Sequence, residues 1–401
     1  MIAKRIMLLF GIMMGAALLV AACGSDPTPT PRPTATPTPT LAAGVPTPTP
    51  DPFEADWAAL QAAAREEGEM QLFASGGFGS VIDEKVLPFF TEKFGIKVTN
   101  SSGSSRQEAD RVLAERDAGV YGLDVWIGGS GTSTTRLIPG NVLDPVIDLI
   151  IHPEVLDDSA WWGGNGLIYA DTARTHVIGF MGNGGYYPEI TFNTDLVNEA
   201  EITSFYDVLD PKYKGKIIMQ DPRLGGTLNT TTFYYVHPKL GDKFLSRLMT
   251  EMDPVIVDDA RTAAEELALG KYAFCLFSCQ REVGKLTKEG LPVKNEVSHL
   301  LDEGPMISMG SGAIFSVNRP PNPNAQKLFI NWFLSKEGQM LMQQSNGEDS
   351  ARLDIPKDDV FPENLRQPGV DYVFPESDPG FVENQLAAIE YVRGLLASVG
   401  K

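Results

Sequence analysis

Apolar positions after residue 52 switch repeatedly between a spacing of three or four and short continuous runs, the patterns of amphipathic helices and of buried strands. Asp51-Pro52-Phe53-Glu54 opens a first helix with an acidic cap, Pro in the first turn and Glu behind it, and the stretch runs to a stop at Gly68. The pattern then predicts a strand over residues 70–74, a helix over 82–94 ending at Gly95, a strand over 96–99, a helix over 106–118 and a strand over 123–127. Ser105-Arg106-Gln107-Glu108 reads as a capping box for the second of these helices. Strands alternating with helices imply a mostly parallel sheet covered on both faces.

A second alternating block follows over residues 152–299, with strands expected at 190–193, 216–220 and 272–277. The chain then passes through Gly310-Ser311-Gly312-Ala313-Ile314-Phe315 into a helix over 324–334, a Pro-rich tail and a last helix over 384–396. No internal repeat occurs in this part.

Ligands of such sheets sit outside the carboxyl ends of the strands. Here those ends carry Ser75-Gly76-Gly77, then residues 101–105 with Ser104 and Ser105, then Gly128-Gly129-Ser130-Gly131-Thr132. All three loops are small and hydroxylated. They offer backbone N–H groups and hydroxyls at close range, a chemistry that suits anions and polar solutes.

The N-terminal end has a different pattern. Lys4-Arg5 precedes an apolar run over residues 6–22, just short of the ~20 residues that a spanning helix needs. It ends in Leu19-Val20-Ala21-Ala22-Cys23, which looks like a bacterial lipobox, so residues 1–22 are expected to be a signal peptide and Cys23 the lipidated N-terminus. A Pro-Thr tract reaching Pro52 cannot bury a core, and residues 23–52 read as a disordered, extended spacer.

The formal charge of −19 disfavours a nucleic-acid partner, because a phosphate backbone rewards clustered Lys and Arg. Any anion must be held by a local site. Cys275 and Cys279 remain after Cys23, and an exported chain permits a disulfide between them if a turn or helix brings them together. Two thiols and four scattered histidines do not suggest a metal site, and no cofactor is expected. Catalytic signatures such as Gly-x-Ser-x-Gly or His-Glu-x-x-His do not occur, and the pairs Asp157-Asp158 and Asp258-Asp259 read as solvated helix-edge charges. An enzyme with a dispersed site stays open as a rival reading, as does a membrane-receptor sensor.

The stretch Ser204-Phe205-Tyr206-Asp207-Val208-Leu209-Asp210-Pro211-Lys212-Tyr213-Lys214-Gly215-Lys216-Ile217 closely resembles a segment of bacterial periplasmic binding proteins related to the ferric-ion binders. Pro323-Asn324-Ala325-Gln326-Lys327-Leu328-Phe329-Ile330-Asn331-Trp332-Phe333-Leu334-Ser335-Lys336-Glu337-Gly338-Gln339 resembles another. The resemblance implies two α/β lobes joined by crossing hinge strands, a type II binding-protein fold that closes around its solute. One lobe would hold residues 53–151 with 300–344, the other 152–299 with 345–401. It also implies a monomer that serves the permease of an ABC importer, tethered to the outer face of the cytoplasmic membrane.

Ferric members hold iron with an adjacent tyrosine pair after the strand corresponding to residues 272–277. The resemblance sets Gln280-Arg281 at that pair, and an Arg there would repel trivalent iron. A small anion suits these residues better, with Arg281 as clamp and Gln280 as polar neighbour. Asp221-Pro222-Arg223-Leu224-Gly225-Gly226-Thr227 looks like the matching second-lobe loop, with Arg223, Gly226 and Thr227 as ligand contacts. A rearranged iron site built on Tyr186-Tyr187 or Tyr234-Tyr235 remains the alternative.

Overall fold

The computed structural model describes residues 52–401 except 182, 188–189, 225–226, 278, 297–299, 310–311, 362–363 and 379. Cys23, the signal sequence and the Pro-Thr tract therefore lie outside the described residues.

Fourteen strands are described: β1 Glu69–Ser75, β2 Lys97–Gly103, β3 Val125–Gly128, β4 Leu143–Asp144, β5 Ile168–Tyr169, β6 Ile178–Gly179, β7 Asn183–Tyr187, β8 Ile190–Asn193, β9 Ile217–Gln220, β10 Val255–Val257, β11 Phe274–Leu276, β12 Val293–Glu296, β13 Met306–Ser308 and β14 Ala313–Val317. They form two main sheets.

The first sheet has the order β2-β1-β3-β14-β6-β5, with β4 beside β14. Its first three strands are parallel, as alternation with helices requires, but β14 runs antiparallel to β3, β4 and β6. Its register aligns Ser75 with Gly103, so two of the small loops leave the same edge. Leu72, Ile127 and Phe329 belong to the core on one face, and Phe73, Trp126 and Phe315 to the core on the other. The helix Pro323–Leu334 is almost wholly buried there. Glu67 caps it from the first helix, its Oε1 accepting from Asn324 N at 3.0 Å and its Oε2 from Ala325 N at 2.7 Å.

The helix expected over 82–94 begins earlier. Residues 76–94 are continuously helical, as Gly76–Val81, a π-turn Ile82–Val86 and Leu87–Phe94. Glycines that read as breakers are helical here because the first turn lies hard against β2: a Cβ on Gly79 would come within 2.5 Å of Ser102 Cβ.

The second sheet has the order β10-β9-β11-β8-β12, with β8 and β12 antiparallel to their neighbours. Ser204 opens the motif 204–217 in a 3-10 turn with a full capping box to Asp207. That turn delivers Phe205, Val208 and Leu209 into the second core, and the following turn Pro211–Tyr213 adds Tyr213.

Between the lobes, β7 and β13 pair antiparallel, and Met306 bridges Val373 in parallel, so hinge strands join the two α/β lobes. The expected division at residue 151 does not hold. Val155, Trp161, Ile168, Ile178 and Phe180 share the first-lobe core, because β5 and β6 extend that sheet beyond β14. Much of the tail stays there too: Ala351 is in the same core and the buried Arg352 lies over the Trp161 ring at 5.2 Å. Val392 and Leu396 of the final helix Phe381–Ser398 pack in the second lobe, and Leu301, expected in the first lobe, packs there as well.

Candidate functional site

The first-lobe edge is lined by polar atoms that the fold leaves unpaired. Ser75 precedes the helical stretch 76–94 and makes no capping bond, and its Oγ is buried without a hydrogen-bond partner among the described residues. Gly76 and Gly77 form the first turn behind it. Ser130, one residue past the N-cap Gly129, is fully buried, and its Oγ is likewise unpaired although its carbonyl accepts from Ser133 Oγ at 2.6 Å. Trp126 Nε1, a donor only, is the third such atom. A Cβ on Gly128 would stand 2.6 Å from Trp126 Nε1 and 3.2 Å from Ser75 Oγ, so these two groups flank one strand end. Buried polar atoms normally find partners, and three unpaired ones at a sheet's carboxyl edge make it the candidate ligand position. Ser104 and Ser105 open the helix Ser105–Asp117 on the exposed side of this edge.

The second-lobe residues are divided. Arg223, expected to contact the solute, is paired within its own loop: its Nε donates to Asp221 Oδ1 at 2.8 Å and its Nη2 to Asp221 Oδ2 at 2.7 Å. Burial pushes the Asp221 carboxyl up, but Arg223 outweighs it and holds the group below its usual range. Thr227 is also committed, its Oγ1 bonding to the carbonyls of Asp221 and Leu224 at 2.8 and 2.9 Å. These bonds close the loop on itself, a local pairing that the residue types alone did not reveal. Gly226 lies outside the described residues. Gln280 opens the helix Gln280–Lys288 with a buried, unpaired Oε1, while nothing is described of the Arg281 side chain.

A disulfide joins Cys275 within β11 to Cys279 just before this helix, with 6.1 Å between their Cα atoms. The pairing left open by the sequence is thus made by a tight turn. Phe277 within it adopts a left-handed φ of 61° and rests its ring 5.0 Å from Tyr234.

The two edges meet. A Cβ on Gly131 of the first lobe would lie 3.5 Å from Asn229 Oδ1 and 3.7 Å from Gln385 Nε2, both of the second lobe. Sequence reasoning missed Trp126, Asn229 and Gln385. Gln385 had a readable signal, since it interrupts an otherwise apolar stripe.

The fold is that of the two-lobed periplasmic binding proteins. Bordetella ferric binding protein matches with a TM-score of 0.59 and 18% identity, covering 82% of this chain and 98% of that one. Iron-bound HitA from Pseudomonas aeruginosa matches at 0.58 and 18%, over 82% and 99%. The Trichodesmium IdiA (FutA) protein with iron and citrate ligands matches at 0.57 and 15%, over 82% and 99%. An uncharacterized protein of Haemophilus influenzae is 24% identical over 296 residues, 71% of this chain and 78% of the relative. No protein-family model matches.

Within this binding-protein fold, Tyr234 is fully buried and stacked 5.4 Å from Phe244, which makes it a packing residue. The side chains of Tyr186 and Tyr187 are not described. Among the described residues no group of three His, Cys, Asp or Glu could hold a metal ion. His152 packs 5.0 Å from Phe53, and the carboxylates read as helix-edge charges cap turns: Asp157 Oδ1 accepts from Ser159 N at 3.0 Å and Asp259 Oδ1 from Thr262 N at 2.8 Å. No described helix is long and apolar enough to cross a membrane.

Proposed function

We propose that this chain is the solute-capturing lipoprotein of an ABC importer, held to the outer face of the cytoplasmic membrane through Cys23 and closing its lobes on a small organic anion for a permease. The observation that carries this reading is the set of buried, unpaired Ser75 Oγ, Trp126 Nε1 and Ser130 Oγ at the first-lobe edge, which meets the second lobe at Gly131. Hydroxyls and an indole can supply hydrogen bonds to an oxyanion without the anionic oxygens that ferric iron requires.

The second reading, ferric-ion capture, is favoured by the iron-binding proteins among the structural neighbours. Thermal-shift titration of the purified chain with phosphate esters, phosphonates, carboxylates, polyamines and ferric ion separates the two. A ligand at a hundredfold excess over its Kd raises stability by about 2.7 kcal/mol. A rise with an organic anion is expected; a rise with ferric ion alone, with the yellow-to-red colour of tyrosinate coordination, rejects the anion.

A further inference from the structure

The helix Phe381–Ser398 turns one stripe inward, and its buried positions Phe381, Gln385, Ala388, Val392 and Leu396 recur every three or four residues. Four of them are apolar. The fifth is an amide with none of its surface exposed. Gln385 Nε2 donates to Asn229 Oδ1 at 3.0 Å, and Gln385 Oε1 has no partner among the described residues. Turning both amides over would exchange donor and acceptor and leave Nε2 unpaired instead, so one polar atom of Gln385 stays unsatisfied in either orientation. A leucine would cover the same stripe without that cost.

The position of the amide supplies a reason. Gly131, from the opposite lobe, approaches Asn229 and Gln385 as ordinary van der Waals neighbours, and the residue before it is Ser130, whose hydroxyl is also fully buried and unpaired. An unsatisfied polar atom from each lobe therefore lies beside the contact at Gly131, Ser130 next to it in the chain and Gln385 against it.

We infer that Ser130 and Gln385 form a subsite for a hydroxyl group of the bound solute, so that this protein selects organic anions that also carry an alcohol. The inference rests on the organic-anion reading above and deepens it. A hydroxyl donates its proton to Gln385 Oε1 and accepts one from Ser130, satisfying both residues at once. With Oε1 as the open atom of Gln385, an ionised carboxylate or phosphate oxygen cannot donate and would set acceptor against acceptor there. The anionic head is then left to the Ser75 and Trp126 end, where protons are on offer.

Isothermal titration of the full-length chain with matched pairs tests this: glycerol 3-phosphate against propyl phosphate, and glycerate against propionate. The expected result is binding about tenfold or more tighter for the hydroxylated member of a pair. In Gln385→Leu that ratio should fall to within about twofold, while the Kd of the deoxy member changes little. Equal binding of both members by the parent chain, or a ratio that survives Gln385→Leu, overturns the hydroxyl subsite and leaves the organic-anion reading standing. Failure of every probe to bind overturns both. If Gln385→Leu does not fold, Ser130→Ala reports the same ratio.

Discussion

Trp126 carries two jobs at once. Its ring packs between Phe73 at 4.4 Å and Phe315 at 5.8 Å, and its Nε1 emerges beside Gly128 with no partner among the described residues. In the sequence it is one apolar letter of a buried strand, because hydropathy registers the ring and not the single donor on its edge. Ser75 and Ser130 were legible, since small hydroxylated residues stand where the strands end. Arg223 shows the opposite case: a guanidinium two residues from a carboxylate reads as a ligand contact, and the turn pairs it with Asp221. Trp126→Phe removes the donor and keeps most of the packing. Calorimetric binding of the cognate organic anion should weaken about tenfold, the worth of roughly one hydrogen bond to a charged group, with little change in melting temperature. An unchanged Kd would remove Trp126 from the site.

Helices and strands were read more securely than their ends. Periodicity located β1, β2 and β3 and the helices between them, whereas Gly76-Gly77-Phe78-Gly79 hid the first turn of a helix that needs glycine to approach Ser102. The turn after β11 is another element whose geometry decides chemistry: Cys275 and Cys279 are far apart in an extended strand and bonded across this bend. Closing so short a loop restrains the unfolded chain by about 2 kcal/mol on the chain-entropy estimate. The double substitution Cys275→Ser and Cys279→Ser should therefore lower unfolding stability by about that amount in a urea titration. It should also weaken ligand binding through Gln280, whose helix begins at the next residue. A midpoint equal to that of the parent chain under non-reducing conditions would show that the bridge restrains nothing.

For the whole molecule, the decisive region is where the chain crosses between lobes. Glu376 lies in a 3-10 turn beside β13 and is fully enclosed, with Ser308 Oγ donating to its Oε1 at 2.6 Å and its Oε2 unpaired among the described residues. Burial pushes this carboxyl up to about 7 from 4.5. The folded chain thus holds the proton more tightly than the unfolded chain. The stability this contributes is complete below about pH 4.5 and disappears as pH rises through about 7, a change on the order of 3 kcal/mol. Asp349 acts in the opposite sense: burial disfavours its charge, but Arg366 and Lys357 outweigh this and hold it low, so its contribution is lost on acidification. Glu376→Gln should abolish the decline between pH 4.5 and 7 while keeping the acid limb. Melting curves at half-unit pH steps would show this, and an unaltered slope for the variant would exclude Glu376 as its source.

The sequence by itself determined the alternation of strands and helices, the small hydroxylated loops at the strand ends and the two motifs that resemble periplasmic binding proteins, because these depend on local spacing and residue type. Tertiary structure alone decided that residues 152–181 stay with the first lobe and that Arg223 and Thr227 bond within their own loop. It also decided that Gln385 of the final helix meets Gly131 across the seam. Those outcomes depend on which distant segments pack together, and hydrophobic periodicity gives the face that an element buries without naming the surface that covers it.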